Sequence, residues 1–385
     1  MIKNNKRKWM VWGIGMIKNL LICLVVVLMI VGQTACQNNN GFINRPNRTL
    51  AKQHEINLKK IVQKGNNEQE RIKDYLTLMR LNGSVTVIKD HKLVFNKGMG
   101  YANFKNHILN QPDTTYPIGS ISKAFVAVCI LQLQEKGILS IEDPLSKYIP
   151  GFPNGQKIKL VHLLSHTSGI QKPLWKVWDT KPVDMIHEAE GRPLLFMPGT
   201  RWDYKDINYL ILGYIVEKVS GTTLHEYIQH HIFAPAGMKS SGFITRENLF
   251  PFTSTGYLKI GQHLHSIKKL NPYPLFGCGD IFTTALDLSR FDEALFGGKL
   301  ISRNRLKEML RPRSISKYGL GLYNYGNRIL SRGVLLGWES LHVYYNDKTQ
   351  ITILLNIHSK RTKIKAIAND IHTIINLGKS HSLEM

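Results

Sequence analysis

A hydroxyl group and an amine stand three positions apart in the segment Tyr-Pro-Ile-Gly-Ser-Ile-Ser-Lys, which ends at Lys123. The apolar run that follows predicts a helix. Because residues at i and i+3 share one helix face, Ser120 and Lys123 are expected to lie side by side, with Ser120 in the first turn. Serine is a weak nucleophile at neutral pH, and a partly buried lysine with a lowered pKa can accept its proton. The spacing therefore predicts a serine that is activated by a lysine.

The elements that must position this pair follow from the hydrophobic periodicity of the chain. Strand-rich segments at both ends flank a helical middle. This order predicts one sheet that is assembled from both ends of the chain, with a helical lobe inserted between them. The cleft between the sheet and the lobe is then the expected place for a substrate. The predicted strands and their hairpins cover residues 84–104, 318–323, 333–345 and 350–357, and the further helices begin near Asn67 or cover residues 208–220, 222–232, 285–296 and 362–375.

The first 36 residues have the layout of a secretory signal. Basic residues precede an apolar run, residues 20–31, that is short for a membrane span. Cys36 follows Thr34-Ala35 as the lipidated cysteine of a lipoprotein signal would, and an uncleaved apolar anchor is the alternative. We therefore predict a signal or membrane-anchor segment in residues 1–36, a polar spacer in residues 37–65 and one folded domain in residues 66–385, outside the membrane.

The composition favours some partners and excludes others. The chain carries a formal net charge of +24, which either attracts polyanions or only keeps the protein soluble. The basic residues are spread along the chain and no nucleic-acid-binding motif is present, so nucleic acid is not an expected partner. His225 and His230 are five residues apart, whereas a zinc-protease helix needs four, and no metal or cofactor is expected. Cys129 and Cys278 are too few for a disulfide framework in the folded domain.

Five segments in collinear order resemble the serine beta-lactamase and penicillin-binding-protein superfamily, class C type. The resemblance extends from about residue 82 to about residue 375. It implies an α/β (α+β) fold of the beta-lactamase/transpeptidase type, with an antiparallel sheet flanked by helices, and an acyl intermediate on Ser120. The segments are YPIGSISKAF from Tyr116, LSIEDPLSKYIPGF from Leu139, IKLVHLLSHTSGI from Ile158, WDYKDINYLILGYIVEKVSG from Trp202 and IFAPAGMKSSGF from Ile232.

The resemblance implies a second catalytic element at Tyr204-Lys205-Asp206. In the family this element is Tyr-x-Asn, whose phenol shares protons with the serine, the lysine and the leaving group. Asp206 replaces the asparagine, and a carboxylate beside Lys123 would raise the pKa of the lysine and weaken it as a lone base. Asp206 could relay a proton with Lys123 or attract the ammonium group of a D-alanyl ester. The structural alternative is an N-cap of the following helix. His166, in the segment SHTSG, is expected to be a scaffold residue in this family.

The third element departs most from the family. An inner strand that carries Lys-Thr-Gly or His-x-Gly in the family here carries Ser331-Arg332-Gly333. The missing Lys or His disfavours substrates that present a carboxylate, although Arg332 could compensate. The backbone N–H after Gly333, assigned to Val334, is expected to join the N–H of Ser120 as an oxyanion donor.

These features predict a cell-envelope serine hydrolase of the Gram-positive type. They are most similar to the teichoic acid D-alanyl esterases, so a D-alanyl ester on a teichoic acid is the preferred substrate. The alternatives are a D,D-peptidase acting on peptidoglycan peptides, a weak class C-type beta-lactamase, or a non-catalytic penicillin-binding or wall-binding protein. The expected partners are thus an anionic wall polymer and, through the N-terminus, the membrane surface, with beta-lactams as further possible ligands.

Overall fold

The computed structural model of the chain describes residues 56–63, 65, 67–173, 181–359 and 363–382. The predicted signal or anchor, Cys36 and most of the predicted spacer lie outside these residues. The chain divides into the units Met1–Asn57 and Leu58–Met385. The second unit holds every element described below except the first two residues of the first helix. Among the described helices, none has the length and apolar character needed to cross a membrane.

The described elements follow one another in the predicted order, with strands at both ends and helices between. The helices are α1 (residues 56–63), α2 (Glu68–Leu78), α3 (Ser122–Glu135), α4 (Leu160–Leu164), α5 (Pro182–Glu190), α6 (Ile207–Ser220), α7 (Leu224–Ile228), α8 (Ala234–Ala236), α9 (Ala285–Phe296), α10 (Arg303–Leu310) and α11 (Ile364–Ser382). The strands are β1 (Gly83–Lys89), β2 (Lys92–Met99), β3 (Tyr101–Asn103), β4 (Ile108–Leu109), β5 (Tyr116–Pro117), β6 (Gly242–Phe243), β7 (Tyr257–Ile260), β8 (His263–Ser266), β9 (Ile281–Thr283), β10 (Tyr323–Asn324), β11 (Arg328–Leu335), β12 (Trp338–Tyr345), β13 (Thr349–Leu355) and β14 (Ile357–His358).

The main sheet has six strands in the order β10-β11-β12-β13-β1-β2, and its strand pairs are antiparallel. The N-terminal strand β1 pairs with the C-terminal strand β13, with Val85 opposite Ile353. The prediction of a sheet assembled from both ends of the chain is therefore confirmed. Because side chains alternate between the two faces of a strand, Val85, Ile353 and Leu341 share one face, which packs in one apolar cluster with α2 and α11.

The helical lobe lies between β5 and β9 in the sequence and is built around α3. Every residue of α3 from Ser122 to Leu131 is buried. A helix that is apolar on all sides needs packing partners all round it, which is typical of the centre of a large domain. The ring of Phe125 stacks on that of Phe291 with centroids 4.0 Å apart. This packing fixes α3, and with it the segment that carries Ser120 and Lys123.

Two predicted strands are wrong in detail. Residues 333–345 form two antiparallel strands, β11 and β12, because the chain reverses at Leu336, whose φ is +48°. Residues 318–322 are not a strand. Gly321 instead packs directly on α3, where an added Cβ would lie 3.0 Å from the Cα of Ala124. The hairpin was not predicted because its turn lies in the apolar segment of residues 334–338. The contact of residues 318–322 with α3 was not predicted because two glycines in an otherwise apolar run resemble a strand.

The end of the predicted spacer is also folded. Residues 56–63 form α1, and Leu58 and Val62 are buried in the same cluster as α2 and α11. Two apolar residues at i and i+4 suffice to attach this short polar helix to the core. Among the other helices, the one predicted at residues 222–232 begins at Leu224 and continues as a π-turn over Gln229–Phe233.

Candidate active site

Ser120 lies in a short 3₁₀ turn, Gly119–Ile121, that leads into α3. The preceding backbone is held by β9, because Ile118 N donates to Ile281 O at 3.0 Å. Gly119 has a φ of +51°, which a side chain would strain, and an added Cβ there would lie 3.0 Å from Val334 O. A glycine is therefore required immediately before the predicted nucleophile, and it allows strand β11 to approach closely.

The Lys123 side chain is fully buried and its ammonium group uses all three of its hydrogens. Nζ donates to Ser120 Oγ at 3.1 Å and to Cys278 O at 2.9 Å, and it pairs with Asp206 Oδ1 at 2.8 Å. The predicted neighbours Ser120, Lys123 and Asp206 are thus in direct contact. The Cys278 carbonyl is a further contact that the sequence did not indicate.

The electrostatic surroundings of Lys123 favour its charged form. Burial alone would lower the pKa of Lys123, but its acidic neighbours, of which Asp206 contributes most, raise the pKa well above its ordinary value. Lys123 is therefore an ammonium group in the resting site. An unassisted lysine base, as the serine–lysine spacing alone implied, does not fit this environment.

Asp206 stands at the N-cap position of α6 but makes no capping hydrogen bond, and its backbone is already helical at φ −62° and ψ −33°. The capping alternative is therefore wrong. One carboxylate oxygen pairs with the buried Lys123, whereas the side chain of Asp206 is 38% exposed. The carboxylate thus joins the buried lysine to the open side of the site.

Tyr204 lies against the same lysine. Lys123 Nζ is 5.0 Å from the centroid of the Tyr204 ring. Burial raises the pKa of the Tyr204 phenol, and the charge of Lys123 together with hydrogen bonding to Ser120 offsets only part of that rise. The phenol is therefore protonated at neutral pH and can act as a proton donor.

His166 supports Tyr204 from behind. Its ring packs against that of Tyr204 with centroids 4.1 Å apart and an interplanar angle of 37°. Nδ1 is the acceptor for Asn208 Nδ2 at 3.1 Å and for Lys205 N at 3.3 Å. Burial and then the charge of Lys123 hold the pKa of His166 well below its ordinary range, so the ring is neutral. This geometry fits the scaffold interpretation of His166.

The third predicted element lies beside Ser120 through its backbone. An added Cβ at Gly333 would lie 1.8 Å from Ile118 O, so only a glycine permits this approach. Ser340 Oγ, on the neighbouring strand, donates to Ile118 O at 2.8 Å and to Gly333 O at 3.3 Å. Gly333 and Val334 therefore border the segment that carries Ser120. Ser331 is buried on the same face of β11 as Gly333.

Arg332 is on the opposite face of β11 and is already paired. Its Nη2 lies 2.7 Å from Oε1 of Glu339, a fully buried carboxylate, and its Nε donates to the same oxygen at 2.8 Å. His358 Nδ1 lies 3.2 Å from the other oxygen of Glu339. The charge of Arg332 is therefore neutralised within the protein, and the geometry does not support the expectation that Arg332 replaces the missing cation.

Within the part of the chain that the structure describes, no three His, Cys, Asp or Glu side chains converge in a way that could hold a metal ion. The two cysteines of the folded unit are free and buried. Cys278 contributes its backbone carbonyl to the site, while its Sγ donates to Pro274 O at 3.1 Å. Burial raises the pKa of the Cys278 thiol well above its ordinary value, which does not suit a nucleophile.

The chain is similar to known proteins over most of its length. The beta-lactamase family profile matches residues 69–339. PbpX of Bacillus subtilis, named as a penicillin-binding protein, is 36% identical over 89% of this chain and 86% of its own length. A teichoic acid D-alanine hydrolase of Staphylococcus aureus is 30% identical over 84% of this chain and 83% of its own length.

Solved structures show the same likeness. The crystal structure of FmtA from Staphylococcus aureus superposes with a TM-score of 0.72 at 26% identity, over 80% of this chain and 89% of that one. A penicillin-binding protein from Bacillus halodurans superposes with a TM-score of 0.68 at 26% identity, over 80% of this chain and 99% of that one.

Proposed function

The chain belongs to the beta-lactamase family and is a serine hydrolase, and we propose that it releases D-alanine from teichoic acid through an acyl intermediate on Ser120. The observation that carries this proposal is the partly exposed carboxylate of Asp206 beside the buried Lys123. A D-alanyl ester presents an ammonium group next to its carbonyl. A carboxylate that pairs with Lys123 on one side and faces solvent on the other suits such a substrate.

The proposed acylation uses Asp206 to overcome the high pKa of Lys123. As the Ser120 Oγ–carbon bond forms, the Ser120 proton passes to Lys123 Nζ and Lys123 passes one of its own protons to Asp206. The lysine therefore stays an ammonium group while Asp206 takes up the proton. Bound substrate that excludes water assists this relay, because desolvation of the exposed side of the Asp206 carboxylate favours its protonated form. The backbone N–H groups of Ser120 and Val334 are the proposed oxyanion donors.

The proposed breakdown of the tetrahedral intermediate uses Tyr204. The ester C–O bond breaks, and the leaving polymer hydroxyl takes the phenolic proton, which Asp206 restores through Lys123. A water molecule then attacks the D-alanyl ester on Ser120, and its proton passes along the same path to Asp206. The Ser120 Oγ–carbon bond breaks as that proton returns to Oγ through Lys123, which releases D-alanine. Each group returns to its starting state, so no cofactor is needed for this sequence.

A D,D-peptidase or beta-lactamase activity has less support from the site. Those substrates present a carboxylate, whose usual partner is a cation on the third element. Ser331 stands where the family has that cation, and Arg332 is paired with Glu339. A substrate carboxylate would also meet the charge of Asp206. Peptidoglycan peptides and beta-lactams are therefore the second choice of substrate.

We also propose that the enzyme acts outside the membrane while attached to it through residues 1–36. The signal-like layout of that segment and the position of Cys36 support this arrangement. Membrane fractionation of cells that produce the parent or the Cys36→Ala variant tests it. Release of the variant supports lipidation, unchanged retention supports an apolar anchor, and recovery of the parent from the cytosol contradicts the proposal.

The catalytic proposal is tested on D-alanylated teichoic acid. The parent should release D-alanine, and Ser120→Ala should abolish the release while leaving the fold intact. Lys123→Ala should reduce it on the order of a hundredfold or more. Intact mass spectrometry with an acylating probe should place the adduct on Ser120. Release by Ser120→Ala at a rate close to that of the parent would exclude Ser120 as the nucleophile.

A further inference from the structure

We propose that His225 and Asp280 are positioning residues for Lys123. Their ion pair closes the turn of residues 277–280, whose Cys278 carbonyl accepts one of the three hydrogen bonds of the lysine ammonium. The inference rests on the proposed role of Lys123 in proton transfer. It extends the site to a pair that does not contact Ser120.

The turn of residues 277–280 is tight and packs against α6. Cys278 N and Gly279 N both donate to Leu275 O, at 2.9 and 2.7 Å. Gly277 has a φ of +67°, and an added Cβ there would lie 2.8 Å from Tyr209 O on α6. The turn is therefore pressed against the helix that follows Asp206, and a shift in the turn must move the Cys278 carbonyl.

Asp280 closes this turn with its own side chain. Its Oδ2 accepts from Gly277 N at 3.4 Å and from His225 Nε2 at 2.8 Å. Its backbone carbonyl accepts from Ile244 N at 2.7 Å. Asp280 is buried, so removing His225 would leave a carboxylate in the interior without its cation. Such a carboxylate would move toward water, and the turn would open with it.

His225 is held in the orientation that this contact needs. Its ring stacks on Phe243 with centroids 4.1 Å apart and an interplanar angle of 13°. The charged groups that act on it are Asp280 and, from α6, Glu217, while Phe276 covers another side. Burial opposes the charged form, but the hydrogen bond and charge of Asp280 outweigh it and raise the pKa of His225.

The sign of the resulting pH dependence follows from that direction. Since the pKa of His225 is raised on folding, the ion pair is complete at low pH and weakens as the pH rises through the raised value. The side chain of His225 is 28% exposed, so it can exchange protons with solvent while Asp280 is covered. Lys123 should therefore be positioned best when His225 is charged, and kcat should decline on the alkaline side.

The experiment compares His225→Phe and His225→Gln with the parent on a small chromogenic ester. The matched control is His230→Gln, because His230 is exposed five residues along the same helical segment. The Phe variant removes both the hydrogen bond and the charge, whereas the Gln variant keeps an N–H donor. We expect kcat to fall about tenfold to a hundredfold in the Phe variant, the scale of a catalytic group displaced by about 1 Å, with KM little changed. The Gln variant should lose less activity and should lack the alkaline decline of the parent.

Each outcome decides the proposal. A His225→Phe kcat within twofold of the parent, an alkaline decline that persists in His225→Gln, or equal losses in His230→Gln would overturn it. Circular dichroism of His225→Gln guards against a folding defect. The rate at which a fluorophosphonate probe phosphonylates Ser120, with loss of fluoride, gives the same comparison without any ester substrate. The positioning role can therefore fail while D-alanine release succeeds, and it can hold even if teichoic acid is not the substrate.

Discussion

At the scale of single residues, the chemistry depends on how Lys123 divides its three hydrogens among Ser120, Asp206 and Cys278. An ammonium group cannot accept a proton, yet it can pass one on while it receives another. The high pKa of Lys123 therefore becomes compatible with catalysis only if a neighbouring base takes the proton, and Asp206 is the base in contact. Tyr204, whose raised pKa keeps it protonated, is the proposed proton donor to the leaving group.

The first prediction concerns Asp206→Asn. This change removes the contribution that most raises the pKa of Lys123, so burial should then lower that pKa. We expect the rate of D-alanine release at neutral pH to fall about a hundredfold, the scale of a lost proton acceptor. The residual rate of the variant should rise with pH as Lys123 deprotonates. Across the same range the parent should show no rise attributable to Lys123.

The control for this change is Asp113→Asn, an exposed carboxylate near Ser120 in the sequence. It should leave both the rate and the pH profile unchanged. Asp206→Asn also restores the residue that the family carries, so acylation by a beta-lactam should be at least as fast as in the parent. A variant that released D-alanine at the parental rate would exclude Asp206 from the proton relay.

At the scale of elements, the site depends on how closely strand β11 approaches the Gly119–Ile121 turn. An added Cβ at Gly333 would lie 1.8 Å from Ile118 O, although the backbone of Gly333 is not in the left-handed region. Gly333→Ala should push β11 away, misplace the proposed N–H donor of Val334 and lower kcat by a hundredfold or more, on the order of one lost oxyanion donor.

The matched control is Gly191→Ala, at the C-cap of α5. Its φ is −71°, and the nearest atom to an added Cβ is 3.6 Å away, an ordinary contact. This variant should keep parental kinetics, measured as kcat and KM on a small ester. Parental kcat in Gly333→Ala would show that β11 contributes no donor to the site.

A second element-scale prediction concerns the turn between β12 and β13. Burial opposes the charge of Asp347, but hydrogen bonds from Thr349 and His372 outweigh it and lower its pKa to about 2. Asp347→Asn should cost about 1 kcal/mol at neutral pH, after discounting for the partial exposure of the carboxylate. The pKa of Asp347 in the folded protein lies below the ordinary value of 3.8. The stability difference between the parent and Asp347→Asn should therefore be complete above pH 3.8 and vanish as the pH falls toward 2.

Thermal unfolding of the parent and Asp347→Asn at several pH values measures this contribution. The midpoint should drop by about 2 °C at neutral pH, the scale expected for a large domain. Asp74→Asn, an exposed carboxylate on α2, is the control and should leave the midpoint unchanged. A difference that persisted unchanged at pH 2 would mean that the charge of Asp347 is not what stabilises the turn.

The elements that the sequence predicted well are those with a clear side-chain signal. Helix α9 was predicted with its observed bounds, and the spacing of Ser120 and Lys123 correctly predicted their contact. The contact of the Cys278 carbonyl with Lys123 was not predicted, because every residue has a backbone carbonyl and the sequence does not mark which one is used. The pairing of Arg332 with Glu339 was not predicted either. It depends on the register of the β11–β12 hairpin, whose turn lies in an apolar run.

At the scale of the whole molecule, a local negative group stands within a strongly basic chain. The net charge is +24, whereas Asp206 presents a carboxylate at the site. A D-alanylated teichoic acid has the complementary pattern, with an ammonium group at each ester and phosphates along its backbone. The net charge and the Asp206 carboxylate therefore favour the same substrate. The net charge attracts the polymer at long range, and the carboxylate orients the ammonium group at the site. A beta-lactam, which presents a carboxylate to the site, lacks the local match at Asp206.

This pattern predicts that salt affects polymer and small substrates differently. On nucleic acids, each phosphate that a protein neutralises gives a slope of about −0.7 to −0.9 in a plot of log affinity against log salt. By the same scale, one such contact would raise KM for D-alanylated teichoic acid about five- to eightfold over a tenfold increase in salt. KM for a D-alanyl ester of glycerol should change little, because this substrate keeps the ammonium group but lacks the polyanion. Hydrolysis of a chromogenic cephalosporin should be slow at every salt concentration. Rapid cephalosporin turnover without D-alanine release would reverse the ranking of substrates. If KM for D-alanylated teichoic acid did not change with salt concentration, the net charge of the protein would have no role in recognising the polymer. The substrate preference would then depend on Asp206 alone.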